Sequence, residues 1–341
     1  VLVIVSEVGV PPLLMREVAA SVGAGNLRLI RGALMRGLQV VAGVSAVVAF
    51  VGAIILAVYL DHLGTTGVWT GAAMLAALPL AVLAKTLAHG VRGLHSVVWA
   101  QALETLLRPL LVVLLVGAVI AVRPDLLSPQ TAMAAHVVAA GLVIVIAGYL
   151  LRRALPAGAR TGAPLEDWSR WLRSVGPFAV IGSAMIVNSH VDIIMLGWFK
   201  PAADIGVYRI AAQGGGLTLF VLQAAQNVLA PVFGGMQAHK NDSLLRMRFR
   251  QVSLLVFLAT LPIALVLVVY GEPIVTLVFG PAYAAAALPL AILTLGYFVS
   301  VSCGPVRTLL QMVGREGVTA RTLGVTVVLN IFLNALLIPD Y

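Results

Sequence analysis

Charged residues are what this 341-residue chain has least of. Asp, Glu, Lys and Arg together make up 10% of it, too little to solvate the surface of a water-soluble globular domain. Cysteine is almost absent: Cys303 stands alone inside an apolar run, so no disulfide can form within the chain. No Cys/His cluster has metal-ligand spacing, and neither a metal nor a cofactor is expected. Lysine is scarce as well; Lys85, Lys200 and Lys240 are the only ones among 22 basic residues. The first residue is Val within an apolar stretch, with no basic flank or cleavage site, so it does not read as a signal peptide, and the chain is expected to be cut there.

Hydrophobic residues fill 61% of the sequence, with a mean hydropathy of +1.04. They gather in about ten runs of roughly 20 to 30 residues, each long enough to cross the hydrocarbon core of a bilayer. Spans are expected near 1–15 (partial), 36–60, 66–88, 96–122, 129–151, 174–198, 204–235, 251–270, 283–312 and 318–338. Rich in Ala, Leu and Val, these runs read as helices; membrane strands would alternate over about ten residues, and these do not.

A formal net charge of +9 would suggest nucleic acid in a soluble protein. The positions of the charges exclude that reading. Basic residues crowd one alternate set of loops: Arg16 to Arg36, Lys85 and Arg92, Arg152 to Arg173, Lys240 to Arg250, and Arg315 with Arg321. The opposite set holds only Arg123 and Lys200. Positive residues stay cytoplasmic, so the first set (16–35, 89–95, 152–173, 236–250 and 313–317) faces inside. The excess charge is a topology signal with some affinity for anionic membrane lipids, and no nucleic-acid partner is expected.

The longest polar stretch, 152–173, contains Pro156, Gly158, Gly162 and Pro164 and reads as a cytoplasmic linker. It separates a first helical bundle, 1–151, from a second, 174–341. The halves echo one another. Residues 76–83 read AALPLAVL and residues 286–293 read AALPLAIL, while Pro12 pairs with Pro231 and Arg28 with Arg246 at similar offsets. Both octapeptides lie in spans running from outside to inside, as in a parallel repeat related by an axis along the membrane normal. The repeat implies one helix missing from the first bundle and one or more from the second. The expected fold is therefore all-α and polytopic, with about ten transmembrane helices present of about twelve to fourteen, in two pseudo-symmetric six-helix bundles around a central cavity.

Ionisable residues inside spans are costly in lipid and face a partner or a cavity. The candidates are Glu7, Glu104, Arg108, Asp192, Arg209 and Arg307. Glu104 and Arg108 stand at i, i+4 and could pair, which would lower the cost of insertion; alternatively Arg108 binds phosphate as a planar fork. Glu7 and Glu104 are candidates for a coupling ion or a structural pair. Asn188 and Asp192 share one helix face that turns inward toward substrate, a coupling ion or the rest of the bundle. His190 is expected to hydrogen-bond a neighbouring helix. Arg209 and Arg307 lie near span ends, where they could snorkel, yet with Arg108 they place cations on three helices, as suits an anionic substrate. The candidate substrate-binding set is thus Arg108, Arg209, Arg307, Asn188 and Asp192.

Several segments resemble the polysaccharide-transport and oligosaccharide-lipid flippase families of the multidrug/oligosaccharidyl-lipid/polysaccharide exporter superfamily. They are Arg92-Gly93-Leu94 with Leu106-Leu107-Arg108-Pro109-Leu110, Asp192 to Phe199 with Ile205-Gly206-Val207-Tyr208, Phe279 to Ala286, and Asn330 to Pro339. The resemblance runs from about residue 9 onward and aligns the chain with helices two to eleven of the family pattern. It implies alternating access across the bacterial inner membrane, with a polyprenyl-pyrophosphate-linked glycan of the cell envelope, such as a lipopolysaccharide precursor, as substrate and H+ or Na+ as coupling ion. A multidrug antiporter is the alternative, using the acids for cationic drugs. A polyprenyl-linked glycosyltransferase or polymerase fits less well, since no outer loop offers a catalytic arrangement, and an enzyme is not expected. In a Cys303→Ser background, single cysteines at Thr66 and Pro201 should react with an impermeant maleimide added outside intact cells, while those at Ala159 and Asn241 should not. External labelling at Ala159 would overturn the orientation.

Overall fold

The structure is a computed structural model that describes residues 2–58, 60–123, 125, 128–156, 168–238 and 242–339. The labelling positions 159 and 241 and half of the expected linker lie outside the described residues. Among those described, regular structure is entirely helical. Among the described residues, nine helices are long and apolar enough to cross a membrane: Leu27–Val58, Gly67–Gly93, Val97–Val122, Pro129–Ala154, Arg173–Phe199, Ala202–Met236, Ser243–Val269, Pro281–Ser302 and Glu316–Leu337. The chain is an all-α, polytopic membrane protein.

The expected first span is not continuous. Val8 and Gly9 take left-handed backbone angles (φ 45° and 70°), which end the helix Leu2–Glu7 and start another, Val10–Gly23, with Pro11 in its first turn. Proline fits there because an N-terminal N–H would lack a helical partner anyway. Gly9 is required: a Cβ at this point would collide with the backbone of Phe178 and Ala179.

Loops are shorter than the charge pattern suggested. Residues 16–35 are helical except for a turn at 24–26, the 89–95 loop contracts to 94–96, and the outer segment 271–281 holds the helix Gly271–Phe279. Arg16 is only 3% exposed. Its Nη2 donates to Glu17 Oε1 at 2.7 Å and to Ser174 Oγ at 2.9 Å, and the guanidinium stands 5.3 Å from the Phe178 ring centroid. A charge so surrounded does not need a solvated loop, which is why counting it as a loop residue fails.

The chain divides into two compact units, Val1–Ser183 and Ala184–Tyr341, the boundary falling inside the helix Trp168–Phe199. The first unit has one large core in which Leu13, Leu14, Val41, Val82, Trp171 and Phe178 pack together. The second is built on smaller clusters, Ala211 with Val275 and Leu290, and Leu222 with Val256 and Val301. The repeated octapeptide sits in both units but buries different faces. Leu78 and Val82 are buried, whereas their counterparts Leu288 and Ile292 are 70% and 61% exposed and Leu290 is the buried residue. Eight nearly identical residues make a helix in each place; the surrounding partners choose its buried side.

Candidate functional site

In the first unit, two helical segments bring three charged or titratable groups to one spot. Arg92, at the end of the helix Leu60–Gly93, donates through Nη2 to Glu104 Oε2 at 2.8 Å and to Gln101 Oε1 at 3.1 Å. His89 lies one turn earlier, with Nδ1 at 2.9 Å from Glu104 Oε1 and 3.0 Å from the Lys85 carbonyl. Both neighbours are acceptors, so Nδ1 carries the proton. Lys85 turns the other way, placing Nζ 2.8 Å and 3.0 Å from the two carboxylate oxygens of Glu7. Glu104 and Glu7 are therefore each paired with a cation other than Arg108.

The expected pairing of Glu104 with Arg108 is not formed. Residues Ala102–Leu107 adopt a π-helical turn between the helices Val97–Gln101 and Arg108–Val122. Pro109 explains the position: in an α-helix its ring would press on the Thr105 carbonyl, and it has no N–H to close that turn. The wider π turn bonds i to i+5, so the i, i+4 spacing no longer holds the two side chains together. Arg108 is half-buried and makes no hydrogen bond or ion pair among the described residues. It lines a cavity of about 160 Å³ together with Lys85, Glu104, Val3, Leu103 and Val143.

The second unit presents the opposite sign. Asp192 accepts from the Tyr208 hydroxyl at 3.1 Å and from Asn334 Nδ2 at 2.7 Å, and the same Asn334 nitrogen donates to Asn330 Oδ1 at 2.9 Å. No cation pairs with this carboxylate among the described residues. Asn188, one turn before it, has a buried Oδ1 with no partner. His190 is exposed, and its side chain makes no hydrogen bond among the described residues, contrary to the expectation for it. Arg209 is exposed, two turns into the helix Ala202–Gly216, which leaves it within reach of snorkelling. Arg307 is half-buried, and its contact with Gln226 Oε1 is long, at 3.4 Å. The three expected cations thus divide, Arg108 in the first unit and Arg209 with Arg307 in the second.

A sequence profile for the family described as polysaccharide biosynthesis protein matches residues 1–237. The chain belongs to the polysaccharide biosynthesis protein family. A second profile, MatE, matches residues 177–336. Two structures of the Vibrio cholerae MATE transporter VcmN share the fold: an Asp-to-Asn mutant (TM-score 0.73, 18% identity, 95% of this chain and 75% of that one) and the bent form (TM-score 0.71, 18%, 94% and 75%). A MATE in complex with MaD3S is similar at a TM-score of 0.68 and 13% identity, over 99% of this chain and 85% of that one. A sequence search of curated proteins gives no match. This family member is a multi-pass transporter of the multidrug/oligosaccharidyl-lipid/polysaccharide exporter superfamily in the inner membrane.

Sequence reasoning missed Lys85, His89 and Arg92 as partners, because the first and last were counted as loop charges. Tyr208, Asn330 and Asn334 entered only within motifs, although two asparagines four residues apart in an apolar helix are a legible polar stripe. A double-mutant cycle on the melting of the purified polysaccharide biosynthesis family member checks the rewired pairing. Glu104→Gln and Arg92→Gln should couple by at least about 1 kcal/mol, while Glu104→Gln and Arg108→Gln should add within about 0.5 kcal/mol. Strong coupling between 104 and 108 would restore the simple i, i+4 pair.

Proposed function

We propose that this protein carries a polyprenyl-pyrophosphate-linked oligosaccharide or polysaccharide from the inner to the outer leaflet by alternating access, with Arg108 holding the anionic head group. The observation that carries this reading is the uncompensated charge of Arg108. A guanidinium within a membrane span costs free energy unless something pairs with it, and Glu104, which lines the same cavity, is committed to Arg92, as Glu7 is to Lys85. A pyrophosphate supplies what is lacking, since its paired oxygens match the planar fork of Arg. Glu104 then has a positioning role: with Arg92 and His89 it fixes the π turn from which Arg108 projects. Arg209 and Arg307 are secondary candidates for the same anion.

Asp192 supports a second element of the mechanism. A carboxylate stabilised only by neutral donors suits a group that binds and releases H+ or Na+ during the cycle, with Asn188 beside it as a further oxygen ligand. The same feature favours the multidrug antiporter as the rival reading, since an unpaired acid also suits a cationic drug. Cells discriminate between them. Under glycan transport, Arg108→Ala abolishes surface glycan at normal protein abundance, Arg108→Lys restores it in part, and Asp192→Asn also abolishes it. Under drug export, Asp192→Asn removes drug resistance and Arg108→Ala leaves it intact. Normal surface glycan in Arg108→Ala sinks the proposal.

A further inference from the structure

The first unit carries a larger groove that the transport reading does not use. It has a volume of about 820 Å³ and runs between the helices Val97–Val122 and Pro129–Ala154. Its walls are apolar, with Trp99, Leu103, Leu106, Tyr149 and Leu150 prominent. Trp99 and Tyr149 are 61% and 62% exposed, an amphipathic pair of the kind enriched where hydrocarbon meets head groups. Among the described residues, Arg153 is the only charged side chain lining it, at the same end as Ser96, with exposed Arg152 alongside. The loop-charge bias places this basic end on the cytoplasmic side. Leu110 lies at the other end. From Ser96 to Leu110 the segment rises roughly 20 Å, the π turn shortening it slightly from ideal α-helical geometry, close to the depth of one leaflet with its head groups, about 20 Å.

We infer that this groove is a site for one anionic phospholipid of the cytoplasmic leaflet, its phosphate at Arg153 and an acyl chain against Trp99 and Leu106. Length, apolar walls and a single cation at head-group depth all match that molecule. Leu103 also lines the Arg108 cavity, so a bound chain would brace the π turn from its outer side. The inference is independent of what the transporter carries.

Trp99 reports occupancy directly. The protein and its Trp99→Phe variant are reconstituted in vesicles containing dibrominated phosphatidylglycerol or dibrominated phosphatidylcholine at equal mole fraction, and the difference in fluorescence quenching is assigned to Trp99. Brominated phosphatidylglycerol should be enriched about fivefold over the zwitterionic lipid, the equivalent of ~1 kcal/mol for one basic residue at a head group. Arg153→Gln should bring the ratio to one at unchanged melting temperature, and Arg248→Gln should leave it unaltered. Equal quenching by both lipids overturns the site, as does a preference that survives Arg153→Gln. Displacement by polyprenyl phosphate at a lower mole fraction than by unbrominated phosphatidylglycerol would assign the groove to a prenyl tail and overturn the phospholipid.

Discussion

The ion cluster of Glu104, Arg92 and His89 is the interaction on which the first unit's chemistry depends. In a low-dielectric span a carboxylate cannot stand alone, and removing one member of a buried pair costs on the order of 3 kcal/mol or more. Glu104 meets that demand by reaching across to Arg92 at the neighbouring helix end. The π turn allows this, because it breaks the spacing that would have tied Glu104 to its own helix. One consequence follows at Arg108. The cation that could have been consumed in a local pair faces a cavity instead, and the proposed grip on phosphate rests on that release.

The two units differ in the sign of what they leave uncompensated. The first keeps Arg108 free of acidic partners while neutralising Glu7 and Glu104 with Lys85 and Arg92. The second keeps Asp192 among phenol and amide donors, with no cation against it among the described residues. Insertion selects against both, so each is retained against a cost. A transporter that moves an anion and couples to a cation needs one site of each sign, and the proposal assigns one to each unit.

The sequence made the membrane architecture legible because its signals are strong and additive. Apolar runs of bilayer length and the loop-charge bias each integrate over many residues, so an error at one position is harmless. Failures occur where a single residue changes a register or an environment. Pro109 widens a turn and cancels the arithmetic that linked Glu104 to Arg108. Gly9, by packing on the Phe178 backbone, splits the first apolar run. Arg16 looks like a loop charge until Ser174 and Phe178, distant in sequence, enclose it. The repeated octapeptide shows the limit most clearly, since Leu78 and Leu288 occupy equivalent places in it and meet opposite surroundings. At the candidate site, the residue types were legible and their partners were not, because pairing across helices is set by packing rather than by spacing along one chain.

Direct binding tests the central claim most closely. The purified protein is titrated with a short-chain prenyl pyrophosphate in detergent, and affinity is measured for the wild type, Arg108→Ala, Arg108→Lys and Arg209→Ala. The account predicts saturable binding that is lost in Arg108→Ala, is weakened but measurable in Arg108→Lys, and persists in Arg209→Ala. Binding of equal strength in Arg108→Ala, with the protein folded, would contradict it.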